Sequence, residues 1–380
     1  MRYLIVASQL GFQPDGSITP GGLLQFGRCV VRALSASRHV SKLGIYCQVD
    51  DASVEMKIRR MVEVYAHPEL NLEIKGFGGS EFRISIAVIN ASITKSYDRI
   101  MYLLVNQSIL SLIPGHLPYD VWEIGEELFH PVSFFKARAL QNADRLLSIS
   151  NHTALLARKY IKGLRQSKVV PLCLEPPLYM PIGNHESTQC SYIPSQRKRS
   201  VLIVGNLHTR LLYKGHLQLI DSWPKVVERF PDAQLWIAGD GDGKSILEAR
   251  AGSLPPNVKN QIKFWGYVND GKLTELYKTT RVFAMPSVSE GFGLVFVEAA
   301  SYGLPCIGGK YDSVKEIIRD GETGLLVEQN PSDIGDACIK LLENDVLAKR
   351  FGDANNQNYV KKFQFSQFRE RLLNALELES

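Results

Sequence analysis

The 380-residue sequence lacks the cysteine patterns that mark metal and redox sites. It contains six cysteines, and no two of them form a Cys-x-x-Cys motif. Zinc sites and thioredoxin-type sites therefore have no support, and reduced thiols in a cytoplasmic protein are expected.

Long hydrophobic runs are also absent. No window approaches about 18 uninterrupted apolar residues, so no transmembrane helix is expected. The chain opens on an apolar run, YLIVAS (3–8), without the charged and apolar regions of a secretory signal peptide. The net charge of +5 is too small to indicate nucleic acid binding. It is compatible with an anionic small ligand and with peripheral contact at the inner face of a membrane.

Two common nucleotide motifs are missing. The loop SQLGFQPDGSITPGG (8–22) contains no Gly-x-Gly-x-x-Gly, which disfavours a dehydrogenase. The stretch GDGDGKS (239–245) imitates a P-loop, but only three residues separate its first glycine from Gly-Lys-Ser, where four are needed. Its aspartates, Asp240 and Asp242, also imitate an Asp-x-Asp metal site. We interpret the stretch as the turn after a strand, and we expect no metal or other cofactor.

The order of apolar runs predicts an α/β protein. Short β-type runs alternate with helical stretches, which is typical of parallel sheets covered on both faces. A chain of this length fits two domains. A proline-rich polar segment interrupts the alternation at 174–199. The predicted strands are 3–8, 43–48, 71–75, 98–104, 118–122, 145–149, 168–172, 200–205, 235–239, 262–266, 281–286, 305–309 and 324–328.

We therefore predict two tandem doubly wound Rossmann-like domains, with the carboxyl ends of their strands at a shared cleft. The predicted boundaries are 1–180 for the first domain, 181–199 for a linker and 200–361 for the second domain. The helical tail, 362–380, is expected to pack back on the first domain.

The stretch SEGFGLVFVEAAS (289–301) has the chemistry of a ligand site. It follows the strand 281–286 and opens an apolar helix, whose N-terminal amides favour phosphate. Its two glycines allow close approach of the backbone. The carboxylates of Glu290 and Glu298 suit sugar or ribose hydroxyls better than phosphate. On spacing alone, an ordinary capped helix start remains an equal alternative.

This stretch resembles the retaining GT-B glycosyltransferases of family GT4, also called group 1. The motif E-G-F-G-L-x-x-x-E stands at 290–298 and is followed by GLPCI (303–307). Two upstream segments agree in order and spacing, VGNLHTRLLYKGH (204–216) and IKFWGYVND (262–270). The first half of the chain agrees with the family only in outline.

The resemblance implies a site for a nucleotide-sugar donor in the second domain. Glu298 would bind the ribose and Glu290 would lie near the transferred sugar. Lys214 would contact phosphate, and Tyr267 and Val268 would lie near the base. The backbone amides implied to contact the diphosphate belong to Gly291, Phe292, Gly293 and Leu294.

The sequence departs from the family at two places. An arginine usually follows the glycine that ends the first strand of the second domain, and here the residue is Asn206. Either Arg210 supplies the missing guanidinium, or Asn206 makes a neutral hydrogen bond and Lys214 alone carries the positive charge. In GHLPYDVWE (115–123), which resembles H-G-x-E-x-W, His116 stands one residue from the family's histidine position, and Leu117 occupies that position.

His116 is nevertheless the catalytic candidate of the first domain, together with Glu290 of the second. Gly21 and Gly22 would close over the donor phosphates from the first domain. The implied activity is metal-independent transfer of a hexose-type sugar from a UDP-, GDP- or ADP-sugar to a glycan, lipid-linked or small-molecule hydroxyl. Two alternatives remain open at this point, a sugar-nucleotide epimerase and a non-catalytic nucleotide-sugar-binding protein.

Overall fold

The computed structural model describes residues 1–13, 15, 17–19, 21–177 and 192–378. The chain divides into two compact units, one comprising Met1–Glu186 with Lys362–Ser380, the other Ser187–Lys361. Most of the predicted linker, 181–191, lies outside the described residues. No helix in the described ranges combines the length and apolarity that spanning a membrane requires.

The first unit contains a parallel sheet of seven strands. The strands lie in the order β3-β2-β1-β4-β5-β6-β7, so the order reverses between β1 and β4. They are β1 (Arg2–Ala7), β2 (Lys42–Cys47), β3 (Asn71–Gly76), β4 (Arg99–Tyr102), β5 (Tyr119–Glu123), β6 (Arg145–Ser148) and β7 (Lys168–Val169). The helices are α1 (Gly22–Ser35), α2 (Glu55–Glu63), α3 (Glu81–Ile93), α4 (Phe134–Asn142) and α5 (Asn151–Tyr160).

The second unit contains a parallel sheet of six strands, in the order β10-β9-β8-β11-β12-β13. They are β8 (Lys198–Val204), β9 (Gln234–Ala238), β10 (Ile262–Gly266), β11 (Thr280–Met285), β12 (Cys306–Gly309) and β13 (Gly324–Val327). The helices are α6 (His216–Arg229), α7 (Lys244–Gly252), α8 (Pro256–Lys259), α9 (Asp270–Thr279), α10 (Leu294–Ser301), α11 (Pro331–Glu343) and α12 (Asp345–Lys362). The last helix, α13 (Phe365–Ala375), belongs to the first unit and packs against α1.

The two sheets confirm the predicted fold class. All thirteen predicted strands are present, although β4 and β7 are shorter than predicted. The strands are apolar in continuous runs because helices cover both faces of each sheet. In β1, for example, Tyr3 to Ala7 are all buried.

A buried carboxylate connects four neighbouring strands of the first unit. Asp120 in β5 has no exposed surface. It accepts hydrogen bonds from the Tyr3 hydroxyl at 2.9 Å and from Arg99 Nη1 at 2.9 Å, and Arg145 Nη1 lies 3.8 Å away. Burial raises the pKa of Asp120, and the two guanidinium groups oppose that increase. The charges are therefore matched inside the sheet.

We expect Asp120→Ala to lower the free energy of unfolding by about 3 kcal/mol, because it removes the buried carboxylate that pairs with two partly buried guanidinium groups and with the buried Tyr3 hydroxyl. The midpoint of urea unfolding measures the effect. The matched control is Asp98→Ala, which breaks a half-exposed ion pair with Arg2 and should shift the midpoint little. Equal shifts for the two variants would show that Asp120 does not stabilise the sheet as described.

Candidate functional site

The second sheet has a topological switch point between β8 and β11, because the strand order runs in opposite directions from these two strands. Ligands of doubly wound sheets bind beside the carboxyl ends of the strands at such a point. The loop 205–215 follows β8 and the loop 286–293 follows β11. Most of the predicted donor residues of this unit lie on these two loops and on α10.

Lys214 and Glu290 form the polar centre of this edge. Lys214 Nζ donates to Glu290 Oε1 at 2.6 Å, and the two side chains are only 19% and 11% exposed. A pair that is largely removed from water is screened much less than a surface pair. The structure therefore brings together the predicted phosphate ligand and the predicted sugar ligand.

Hydrogen bonds to backbone carbonyls hold the two loops next to each other. The Val288 amide donates to the Tyr213 carbonyl at 3.3 Å. The Gln329 side-chain amide donates to the carbonyls of both Tyr213, at 2.5 Å, and Pro286, at 2.9 Å. Gly215 has a φ of 93°, and a Cβ there would lie 2.7 Å from Pro286, so the close approach of the loops requires glycine.

The N-terminus of α10 lies on the loop after β11. Gly293 is its N-cap residue with a φ of 93°, in the left-handed region, and as a glycine it has no side chain that could cap the helix. The start of a helix carries amide hydrogens and a partial positive charge. Leu294 begins the helix, Phe292 is buried and Gly291 is partly buried. This arrangement suits an anion.

Glu298 lies further along α10. The Tyr277 hydroxyl donates to Glu298 Oε2 at 2.8 Å, and the Tyr277 ring stacks on Tyr302 at 5.3 Å between centroids. Burial raises the pKa of Glu298 to about 7, although the tyrosine hydrogen bond opposes the increase. This carboxyl group therefore gains and loses its proton near neutral pH.

A third acid lies beside the site, at a position that no motif in the sequence marks. Asp312 is fully buried beyond β12 and accepts from the Ser287 hydroxyl at 2.8 Å and from the Val314 amide at 3.0 Å. The Ser313 hydroxyl donates to the Glu290 carbonyl at 2.7 Å. Burial, together with the charge of Glu290, raises the pKa of Asp312 to about 7. Its position just after a predicted strand, 305–309, was an available signal.

The start of α6 contributes a buried histidine that the sequence analysis also missed. His216 is fully buried, and within the described ranges neither of its ring nitrogens has a hydrogen-bond partner. Burial, with a smaller effect of Lys214, lowers the pKa of His216 to about 3. The ring is therefore neutral at physiological pH, and it adds no charge beside Lys214.

The Asp-Gly-Asp stretch forms hydrogen bonds with the loop after β8. Asn206 is exposed and accepts from the His208 amide at 2.9 Å, and Arg210 is exposed. Asp242 accepts from the Thr209 amide at 2.7 Å, with His208 Nδ1 at 3.1 Å. The Asp242 carboxylate thus holds the loop, and the choice between Asn206 and Arg210 as phosphate ligand stays open.

Tyr267 and Val268 follow β10, the edge strand of the sheet, so they lie at the same edge as the two loops but two strands from β8. Tyr267 is 65% exposed. The structure therefore places these candidates at the predicted edge without a described contact to Lys214 or Glu290.

The candidates of the first unit occupy two different places. Gly21 precedes α1 with a φ of 150° and Gly22 is its first residue, near the carboxyl end of β1. His116 instead precedes β5, at the amino end of that strand. Its Nδ1 donates to the Leu117 carbonyl at 2.6 Å, so Nε2 accepts from the Tyr102 hydroxyl at 2.7 Å. The catalytic role of His116 stays a prediction, and both of its nitrogens are occupied within this unit.

The opposite end of β5 carries an acid that the sequence analysis passed over. Glu123 is fully buried, and burial raises its pKa to about 7. It ends the strand of the DVWE motif, at the carboxyl edge where α/β sheets place functional residues.

The amino-acid sequence of the second unit matches a known family. Residues 192–358 match the model of the glycosyl transferases group 1 family. The match lies within the second unit, and there it confirms the resemblance to the group 1 glycosyltransferases.

Curated relatives share this half of the chain. The phosphatidyl-myo-inositol mannosyltransferase of Mycobacterium tuberculosis strain H37Rv is 35% identical over 170 residues, 43% of each chain. A GDP-mannose-dependent monoacylated alpha-(1-6)-phosphatidylinositol monomannoside mannosyltransferase of Corynebacterium glutamicum is 30% identical over 44% of each chain. The chain thus spans less than half the length of the curated relatives it matches.

Solved structures extend the likeness to the whole chain. The sucrose-phosphate synthase of Thermosynechococcus elongatus has a TM-score of 0.72 at 17% identity and covers 99% of this chain and 98% of its own. Anabaena HepE in complex with UDP-glucose has a TM-score of 0.70 at 17% identity and covers 99% of each chain. At this identity the likeness concerns the fold, and it confirms the GT-B fold class.

We predict that Glu298→Gln gains stability relative to the wild type as the pH rises from 5 to 8. Folding raises the pKa of Glu298 to about 7, so the wild-type protein loses stability as the pH rises from the ordinary pKa of a glutamate toward 7. The glutamine variant has no proton to lose and is not affected in this way. Melting temperatures at each pH measure this difference. Glu248→Gln on the exposed surface of α7 is the control, and a pH-independent difference for Glu298→Gln would contradict the assignment.

Proposed function

We propose that this protein is a retaining glycosyltransferase that moves a hexose-type sugar from a nucleotide-diphosphate sugar to an acceptor hydroxyl. The observation that carries the proposal is the Lys214–Glu290 pair beside the start of α10, at the switch point of the second sheet. A cation and a helix N-terminus bind phosphate, and an adjacent carboxylate binds sugar hydroxyls.

The diphosphate would lie against the amides at 291–294 and the Lys214 ammonium. These groups stabilise the negative charge that develops on the leaving diphosphate, without a metal ion. Binding would replace the Lys214–Glu290 contact by a Lys214–phosphate contact. The Glu290 carboxylate then becomes available to accept hydrogen bonds from the transferred sugar.

The proposed reaction breaks the bond between the anomeric carbon and the phosphate oxygen and forms a bond to the acceptor oxygen on the same face. The departing phosphate oxygen takes the proton of the acceptor hydroxyl. Glu290 orients the sugar in this scheme, and Glu298 accepts hydrogen bonds from the ribose hydroxyls. Ionised Glu298 is the better acceptor, so the nucleotide should favour its deprotonated form.

The relatives support a nucleotide-sugar donor. One curated relative is named as GDP-mannose-dependent, and solved structures of similar fold contain UDP or UDP-glucose. Several relatives are named as phosphatidyl-myo-inositol mannosyltransferases, which supports a lipid-linked acceptor among the acceptor classes considered.

We expect one of UDP-, GDP- or ADP-sugars to raise the melting temperature of the full chain, because a ligand that binds the folded state stabilises it. Lys214→Gln should weaken that binding by about tenfold or more, since it removes a charge-assisted hydrogen bond. Lys225→Gln, on the exposed side of α6, is the matched control. The donor identified in this way is then used in transfer assays.

Transfer should proceed in EDTA with retention of the donor's anomeric configuration, and Glu290→Gln should lower the turnover. Failure of every nucleotide sugar to shift the melting temperature would overturn the proposed function. A Glu290→Gln variant with unchanged turnover would remove Glu290 from the sugar site.

The first unit also carries a surface suited to peripheral contact with an anionic membrane. Phe134 and Phe135 begin α4 and are 76% and 61% exposed. Lys136 and Arg138 lie on the same helix, within one turn of the two rings. Exposed aromatic rings beside basic side chains fit the interface of an anionic bilayer. A lipid-linked acceptor would be met at such a surface.

The chain is expected to co-sediment with phosphatidylglycerol-containing vesicles, and the double variant Phe134→Ser/Phe135→Ser should lose most of that binding. Leu155→Ser on α5, which removes another side chain that is 64% exposed, should retain it. Equal loss in both variants, or equal binding to vesicles of neutral lipid, would refute this membrane surface.

A further inference from the structure

Helix α3 of the first unit is apolar on two opposite sides. Ile84, Val88 and Ala91 are buried in the core beside the sheet. Phe82, Ile86 and Ile93 face outward and are 74%, 50% and 73% exposed. A helix that is apolar on its outer side as well as its inner side normally has a partner on the outer side.

The outward apolar residues form a single stripe. Phe82, Ile86, Ile89 and Ile93 are spaced by four, three and four residues, which places them on one face of the helix. Ile89 is partly buried within this stripe. The same spacing forms the contact seam of paired helices.

The spacing is also symmetric, since it reads the same in both directions. Two copies of α3 lying antiparallel would place Phe82 opposite Ile93 and Ile86 opposite Ile89. Each contact then occurs twice around a two-fold axis, as an isologous interface requires.

The charges at the two ends of the helix agree with this arrangement. Glu81 is the first residue of α3 and Lys95 lies just beyond its last residue, and both are exposed. An antiparallel pair would bring Glu81 of one copy near Lys95 of the other. Each end would therefore join opposite charges.

The rim of the stripe argues against a bilayer as the occupant. Ser85, Asn90 and Thr94 are neutral, and Arg83 is the basic residue of the helix itself. Helices that lie in an anionic membrane interface carry several lysines or arginines along the polar face. The basic and aromatic surface of α4 has that character, and α3 does not.

We propose that two copies of this chain associate through antiparallel pairing of their α3 helices. Thirteen residues make a helix of about 20 Å. One helix pair of that length buries less than the about 1,600 Å² of a standard stable interface. The dimer is therefore weak, with a dissociation constant in the micromolar range.

Sedimentation equilibrium of the full chain, from low micromolar to one hundred micromolar, should show a reversible monomer–dimer equilibrium. Ile86→Glu should raise the dissociation constant by about tenfold or more, because it buries a charge at the centre of the contact. Met56→Glu, at a 60% exposed apolar residue of α2, should not change it. Circular dichroism confirms that each variant is folded.

Charge exchange tests the direction of pairing. Glu81→Lys and Lys95→Glu should each weaken the dimer, and the double variant should restore it, because the two ends again carry opposite charges. Loss without restoration would overturn the antiparallel arrangement.

Cysteine cross-linking tests the register in a Cys190→Ser background, in which the cysteines of the described residues are all buried. Phe82→Cys combined with Ile93→Cys should form a disulfide-linked dimer under mild oxidation, and Phe82→Cys alone should not. Cross-linking by Phe82→Cys alone would show a parallel pair. A chain that remains monomeric over the whole concentration range would overturn the proposal. The same holds if the wild type forms no dimer and Ile86→Glu loses vesicle binding instead.

Discussion

The site depends on one constraint, the parallel direction of every strand in the second sheet. Parallel strands end at the same edge, so the loops that follow β8, β11 and β12 meet there although they are distant in the sequence. The strand order reverses between β8 and β11, and doubly wound sheets bind ligands beside such a switch point. Gly215 and Gln329 then hold the loops close, one by the absence of a side chain and the other by two hydrogen bonds.

The electrostatics of this edge follow from placing one ammonium among three acids. Lys214 is paired with Glu290, so its charge is neutralised until an anion competes for it. Glu298 and Asp312 are held by hydroxyl donors, and burial raises the pKa of each to about 7. Asp312 takes up its proton near neutral pH, which reduces the negative charge beside Glu290. Because His216 stays neutral, it adds no positive charge to that of Lys214 and the start of α10.

The first unit differs in what it presents to the outside. Its sheet is held by the matched charges around Asp120, and α3 and α4 cover it with apolar inner faces. The outer faces of the two helices are unlike. The start of α4 combines aromatic and basic residues, which suits an anionic lipid surface, and α3 carries a symmetric apolar stripe with opposite charges at its ends, which suits a second copy. The two proposed partners would therefore contact different helices of the first unit.

The fold class can be predicted from the sequence, because continuous apolar runs alternating with helical stretches specify buried parallel strands, and all thirteen strands lie where the runs predicted them. The candidate donor loops can also be predicted, since a glycine-containing stretch between a strand and a helix has a recognisable local chemistry.

Only the folded structure shows the partners of these residues. The Lys214–Glu290 pair joins positions 76 residues apart, and the Ser287–Asp312 pair joins positions 25 residues apart. The tertiary structure also placed His116 at the amino end of β5 and Glu123 at its carboxyl end. Strand direction and side-chain contacts between distant segments decide these positions, and local residue patterns carry no information about such contacts.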